Sequence, residues 1–155
     1  PEPEKGVEGM DLSPLLDNPS GKAIREVAFS QYSRCPEKDQ PVYYHPNCEG
    51  VEAKDIGVMG YSVRTDQWRY TEWFKWNGTE LRAEWSEPSI GVEFYSHVGD
   101  LGTDFDAFEN ENVASDPKNA KLMAVHRNIL LKHFKDEEAE SFGAIDDILT
   151  SMDGN

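Results

Sequence analysis

Two runs rich in aromatic and β-branched residues, close together in the middle of the chain, constrain its fold most. They cover residues 56–63 and 69–76, and only a short turn separates them. This composition favours strands, and so short a turn favours antiparallel pairing. In the second run Tyr70 and Phe74 alternate with Trp73, so aromatic rings fall on both faces. The two runs therefore predict a hairpin at the centre of an antiparallel sheet.

Further elements are predicted on either side of this hairpin. Residues 24–32 predict a strand before it, and residues 81–85 and 91–96 predict two short strands after it. Ser115 is expected to cap a helix that runs to about residue 134. The apolar positions that recur along this helix at three- and four-residue spacing are Leu122, Val125 and Ile129. The sequence predicts an α+β domain, in which an antiparallel sheet of about four strands is packed by a carboxy-terminal helix.

The two ends of the chain differ in composition from its middle. Residues 1–22 are rich in Pro, Gly, Asp and Ser, which predicts a linker with a short helical turn. Residues 135–155 begin with a cluster of carboxylates and predict a mobile acidic tail. The domain itself is expected at 23–134, a length that suits one modest core. No apolar run approaches the ~20 residues of a membrane span, so no membrane partner is expected.

The chain is strongly acidic, with 30 Asp and Glu against 15 Lys and Arg and a formal net charge of -15. Such a charge repels polyanions at long range, so nucleic acid is not an expected partner. A small anionic group can still bind where arginines converge, because short charge-assisted contacts survive screening. Arg34, Arg64 and Arg69 lie near predicted strand ends among Tyr and Trp residues. They predict either a surface for a sulfated sugar or arginines that stack and pair within the fold.

The 2 cysteines, Cys35 and Cys48, lie in a long polar loop predicted at 33–55. Two thiols cannot form a zinc site alone. In an oxidising compartment they would close a loop worth about 3 kcal/mol; otherwise they remain two inert thiols. Asn77 begins an Asn-Gly-Thr glycosylation sequon, which indicates the same kind of compartment.

Neither the histidines nor the acidic loop after the last strand predicts a metal site. The 4 histidines match no zinc motif, and His126 and His133 are expected to be surface or partly packed helix residues. Asp100, Asp104 and Asp106 miss the spacing of a calcium-binding EF-hand loop. We expect these aspartates to stabilise turns.

Three ordered strings resemble the carboxy-terminal part of the sulfatases. The strings are Phe29-Ser30-Gln31-Tyr32-Ser33-Arg34, Met59-Gly60-Tyr61-Ser62-Val63-Arg64-Thr65 and Trp68-Arg69-Tyr70-Thr71-Glu72-Trp73. Upstream, residues 8–16 resemble the segment that links sulfatase subdomains. Downstream, residues 91–97 are similar to the strand before the final helix. The resemblance covers residues 8–134 and leaves the acidic tail unmatched.

The resemblance implies the small subdomain of the alkaline-phosphatase-like sulfatase fold. It implies that Tyr32 and Arg34 approach a substrate pocket and that Arg64 supports the sheet beneath it, although Ser33 stands where the family has proline. In sulfatases a larger amino-terminal domain supplies a calcium ion and a formylglycine made from Cys or Ser in C/S-x-P-x-R. The string that begins at Cys35 does not match that motif. We therefore expect this chain to bind neither cofactor and to be inactive alone.

The function implied for the whole enzyme is hydrolysis of sulfate esters of a sulfated saccharide such as a glycosaminoglycan, with this chain lining the pocket. The competing hypothesis is a non-catalytic carbohydrate-binding or interaction module. The expected partners are the missing amino-terminal domain and the saccharide. The expected location is secreted, lysosomal or periplasmic, with a signal peptide upstream of Pro1. Alone, the chain is expected to expose a docking face rich in Trp and Tyr.

Overall fold

The computed structural model describes residues 9–35, 48 and 50–135. Its helices and strands are α1 (Ser13–Asp17), β1 (Ala28–Arg34), β2 (Val58–Arg64), β3 (Trp68–Asn77), β4 (Arg82–Ala83), β5 (Gly91–Ser96) and α2 (Ala120–Phe134). Short 3-10 helices lie at Ala53–Asp55, Phe105–Ala107 and Pro117–Asn119. Residues 1–8 of the predicted linker and residues 136–155 of the predicted tail lie outside the described residues.

The strands form one antiparallel sheet centred on β3. β2 pairs with one edge of β3, and β5 and β4 pair with its other edge. β1 pairs with the outer edge of β2. Of the 5 strands, β4 has only two residues and pairs only with the end of β3, so the sheet agrees with the predicted size of about four strands. The predicted α+β class, an antiparallel sheet packed by a carboxy-terminal helix, is confirmed.

The central hairpin forms where the two aromatic runs predict it. Arg64 pairs with Arg69, and the N–H of Thr65 donates to the carbonyl of Trp68 at 2.9 Å. The turn is therefore closed by backbone bonds. β3, paired on both edges, is the central strand, as its aromatic residues on both faces predict.

The first strand begins at Ala28 rather than Ile24. Ala28 pairs with Arg64, the last residue of β2, so residues before Ala28 have no partner on that strand. At its other end β1 continues to Arg34, which pairs with Val58. Register with β2 therefore decides the length of β1, and local composition does not.

The core lies between α2 and one face of the sheet. Tyr70 and Phe74 of β3 pack with Ile129 and Leu130 of α2, and all four side chains are at most 2% exposed. The remaining buried members of this cluster are Val27, Met59, Tyr61, Val63, Ala83 and Phe94. The predicted apolar stripe of the helix is confirmed.

Neither α1 nor α2 has the length and apolar character needed to cross a membrane.

α2 begins at Ala120, and the capping residue before it is Asp116 instead of the predicted Ser115. A 3-10 turn precedes it, and Asp116 caps that turn by accepting a hydrogen bond from the N–H of Lys118 at 3.0 Å. Contact with the Lys118 ammonium and N–H lowers the pKa of Asp116. The predicted capping residue is therefore one position too early, because serine and aspartate are both common helix caps.

A buried carboxylate joins the helix to the sheet. Glu72 of β3 is 2% exposed, and its two oxygens lie 3.0 and 3.1 Å from Nε of Arg127 on α2. The hydroxyl of Tyr70 donates to the same carboxylate at 3.0 Å. Burial, followed by the charge of Glu72, raises the pKa of Tyr70. The acid is tolerated in the core because it is paired and hydrogen-bonded.

His126 is fully buried, so the prediction of a surface or partly packed residue is wrong for it. Its Nδ1 donates to the carbonyl of Leu122 at 2.9 Å, and its Nε2 lies 3.3 Å from the hydroxyl of Thr65. Desolvation lowers its pKa. His133 is exposed and stacks on Phe29 with ring centres 3.7 Å apart, as predicted for a partly packed residue.

Candidate functional site

Side chains from four strands meet on the face of the sheet opposite α2, which we call the polar face. Because side chains alternate along a strand, Thr71 and Trp73 point away from the helix that Tyr70 and Phe74 contact. Antiparallel register aligns the rows of this face across β1, β2, β3 and β5. The rows are Ala28, Arg64, Arg69 and Tyr95; Ser30, Ser62, Thr71 and Glu93; and Tyr32, Gly60, Trp73 and Gly91. The polar face holds a cavity of about 240 Å³.

Trp73 lies flat across the polar face because Gly60 beside it has no side chain. A β-carbon at Gly60 would come within 2.6 Å of the indole. The guanidinium carbon of Arg34 lies 4.9 Å from the centre of the Trp73 ring and 5.6 Å from that of Tyr32. Both contacts are in the range of cation–π interactions. One end of the cavity is therefore an arginine held over aromatic rings.

Glu93 orients two rings of the polar face. Its Oε1 accepts a hydrogen bond from Nε1 of Trp73 at 2.7 Å, and its Oε2 accepts one from the Tyr95 hydroxyl at 3.1 Å. Burial, and then the charge of Glu93, raises the pKa of Tyr95. Next to them, the hydroxyl of Thr71 donates to that of Ser62 at 3.0 Å. These bonds fix the floor of the cavity.

A charged cluster stands at the other end of the cavity. Nε of Arg69 lies 2.5 Å from Oε1 of Glu109, in a charge contact whose N–H is not aligned as a hydrogen bond. His97 is 6% exposed; its Nε2 lies 2.8 Å from the same oxygen and its Nδ1 2.8 Å from Oδ2 of Asp100. The bond from His97, followed by that from the N–H of Gly102, lowers the pKa of Asp100.

The three predicted substrate-binding residues take different positions. Tyr32 and Arg34 line the cavity, and Tyr32 is 52% exposed. Arg64 is not among the lining residues. Its guanidinium donates to the carbonyl oxygens of Thr65 and Asp66 and lies 3.6 Å from Oδ2 of Asp100. The structure therefore brings Tyr32 and Arg34 together, and it places Arg64 at the end of β2 with its guanidinium against the β2–β3 turn.

Cys35 and Cys48 form a disulfide, with their Cα atoms 5.4 Å apart. Cys35 directly follows Arg34, so the bridge anchors the chain at the end of β1, beside the cavity. Of the predicted loop 33–55, residues 36–47 and 49 lie outside the described residues.

Asn77, the residue of the sequon, ends β3. Its side-chain oxygen accepts hydrogen bonds from the N–H groups of Thr79 and Glu80, at 3.0 Å each, and its Nδ2 donates to Glu84 at 2.8 Å. The nitrogen that would carry a glycan is therefore engaged in this conformation.

The part of the chain that the structure describes has no group of three or more His, Cys, Asp or Glu side chains suited to a metal ion. Asp100 and Asp104 instead accept hydrogen bonds from the N–H groups of Gly102 and Asp106, at 2.8 and 3.2 Å. They stabilise turns, as expected from their spacing.

Several cavity residues were not predicted as site residues. They are Trp73, Glu93, Tyr95 and Glu109. Arg69, one of the three arginines for which the sequence left open a sulfated-sugar surface or pairing within the fold, also lines the cavity. Alternation along β3 and β5 places Trp73, Glu93 and Tyr95 on one face, but only the register shows that this face also carries Tyr32. Glu109 comes from a loop and carries no sequence signal for this position.

Comparison with known proteins agrees with the motifs. No family model matches the sequence. The chain is 32% identical over 96 residues to iduronate 2-sulfatase of Homo sapiens, covering 62% of this chain and 15% of that protein. It is 32% identical over 116 residues to iduronate 2-sulfatase of Mus musculus, covering 74% of this chain and 19% of that protein. The chain thus spans less than a fifth of the length of these relatives, with 15% and 19% covered. This similarity confirms the predicted resemblance of the chain to the carboxy-terminal region of sulfatases.

Proposed function

We propose that this chain lines one side of the substrate pocket of a sulfuric ester hydrolase that removes sulfate from a sulfated saccharide. The observation that carries the proposal is Arg34 held over Trp73 and Tyr32 at the cavity, in a chain similar to iduronate 2-sulfatase. A guanidinium group binds sulfate or carboxylate in its own plane, and aromatic faces support sugar rings. These are the groups that a sulfated saccharide offers.

The reactive groups would come from an amino-terminal domain. The strings that begin at Ser86 and Ser115 are the nearest to C/S-x-P-x-R, but they end in Ile90 and Asn119 instead of arginine. Both cysteines are bonded to each other, so neither thiol can become formylglycine in this state. The described residues also offer no calcium ligand cluster. They therefore do not fit either group, and the chain alone should be inactive.

The partner of this chain would be that amino-terminal domain, in a secreted, lysosomal or periplasmic enzyme. The disulfide beside the cavity supports an oxidising compartment. Around α1, Met10, Leu12 and Leu16 are 46%, 58% and 83% exposed, which supports a contact with further polypeptide.

The test is Arg34→Ala in the full-length enzyme that contains this region. A lost charge-assisted contact is worth about 1.5–3 kcal/mol, so kcat/KM for a sulfated iduronoside should fall about tenfold or more. Arg82→Ala is the matched control, because Arg82 is exposed on β4 and pairs with Glu80 away from the cavity. Sulfate release is measured for both, together with the melting temperature.

Unchanged turnover in Arg34→Ala, with normal expression, would reject the role in substrate binding. Binding of sulfated glycans by the 155-residue chain, without a sulfatase domain in the same reading frame, would favour the carbohydrate-binding module instead. A C/S-x-P-x-R motif upstream would exclude that alternative.

A further inference from the structure

The geometry points to Arg69 as a second anion-binding residue of the cavity, occupied in the free chain by Glu109 as an internal anion. The ligand is a sulfate or carboxylate group, and its assignment to a saccharide rests on the proposed function. The site itself rests on the contacts of Arg69, Glu109 and His97.

Arg69 and Glu109 both line the cavity, so their contact occupies space that a ligand could enter. Nε of Arg69 lies 2.5 Å from one oxygen of Glu109 but is buried without an aligned hydrogen bond. A guanidinium group has five donors in one plane and pairs best with two oxygens of an anion in that plane. Glu109 therefore supplies the charge that Arg69 needs without supplying its best hydrogen-bond geometry.

The backbone of Glu109 is held in an unfavourable conformation. Its φ is 62°, in the left-handed region that residues with a β-carbon seldom adopt. Its carboxylate contacts Arg69 and lies 2.8 Å from Nε2 of His97. Side-chain contacts thus keep Glu109 in place against its backbone preference, as is typical of strained residues at functional sites. An anion that takes over Arg69 would let Glu109 relax.

Arg69 and Arg34 lie toward opposite ends of the polar face. Arg69 is in the row of Ala28, and Arg34 follows Ala28 by six positions along β1. At ~3.4 Å per residue the two backbone positions are about 20 Å apart along the strands. Arg34 leans back over Trp73, and Ser62 and Thr71 lie between. This spacing suits an extended saccharide with more than one acidic group.

The test is a titration of the 155-residue chain with sodium sulfate, compared with a titration with sodium chloride at equal ionic strength. Binding is measured from the NMR chemical shift of Arg69 Nε. Glu109→Gln and Glu109→Gly should bind sulfate at least fivefold more tightly than the wild type. Glu111→Gln removes an exposed charge from the same loop and should bind as the wild type does. Glu109→Gly also suits the positive φ, so it serves if Glu109→Gln fails to fold.

Equal sulfate affinity in the Glu109 variants and the control would overturn the inference. So would tight sulfate binding that persists when Arg69→Gln is added to Glu109→Gly. Sodium acetate in place of sulfate distinguishes a carboxylate ligand from a sulfate ester, and either preference supports the site. No hydrolysis is measured, so failure here leaves the Arg34 test untouched, and the reverse also holds.

Discussion

Replacing Gly60 by alanine tests whether the missing side chain is what holds Trp73 flat on the polar face. The added β-carbon would lie 2.6, 2.7 and 2.9 Å from three ring atoms, below the 3.0 Å that real β-carbons essentially never cross. The indole or the backbone around it must therefore shift. An indole that lifts would leave Oε1 of Glu93, now 2.7 Å from its Nε1, and the guanidinium of Arg34 above it.

We expect Gly60→Ala to lower the free energy of unfolding by about 2 kcal/mol. If the ring stays, overpacking costs about 1–3 kcal/mol. If it moves, a charge-assisted hydrogen bond of about 1.5–3 kcal/mol and a cation–π contact of about 0.5–1 kcal/mol are weakened, and water replaces part of both. Alanine offsets about 0.5–1 kcal/mol of this loss, because it loses less backbone entropy than glycine on folding. With a urea m value of about 1–2 kcal/mol/M, the unfolding midpoint should fall by about 1–2 M.

Gly91→Ala is the matched control, because Gly91 flanks the same ring from β5. Its β-carbon would lie 3.7 Å from Cδ1 of Trp73, an ordinary contact, so the urea midpoint should stay close to that of the wild type. Equal midpoints for the two alanine variants would refute the role of the missing side chain. The same conclusion follows if Gly60→Ala keeps its full cost after Trp73→Leu has removed the indole.

Two further predictions concern the buried polar groups behind the cavity. Arg127→Met should destabilise the chain by about 2–4 kcal/mol in urea, since it leaves Glu72 buried without its cation, and adding Glu72→Gln should restore much of the loss. Burial lowers the pKa of His126. As the pH falls through about 6.5, His126 is therefore protonated in the unfolded chain while it stays neutral in the folded chain. The free energy of unfolding should therefore fall below that pH, and His126 should contribute at most about 1.4 kcal/mol per pH unit to this loss. The variant His126→Asn should lack this contribution. An equally steep loss of stability in His126→Asn would contradict the prediction.

The hairpin and the helix were predictable because their signals are local, whereas the partners of the site residues were not. Alternation alone places Trp73 and Tyr70 on opposite faces. The burial of Glu72 depends on Arg127, 55 positions away, and nothing near Glu72 in the sequence announces that partner. Glu109 reaches Arg69 from a loop whose backbone conformation no propensity favours. Local pattern thus predicted the elements, while long-range register and loop conformation decided the site.

The position of Arg34 shows why stacking within the fold and binding of an anion are compatible, although the sequence presents them as alternatives. A ring takes the face of the guanidinium, whereas the N–H donors lie in its plane. The contact with Trp73 therefore restrains the guanidinium and reduces the side-chain entropy that binding would otherwise cost. A net charge of -15 opposes the approach of polyanions over distance. It does not prevent an oriented guanidinium from holding one acidic group at contact, where geometry outweighs the screened field.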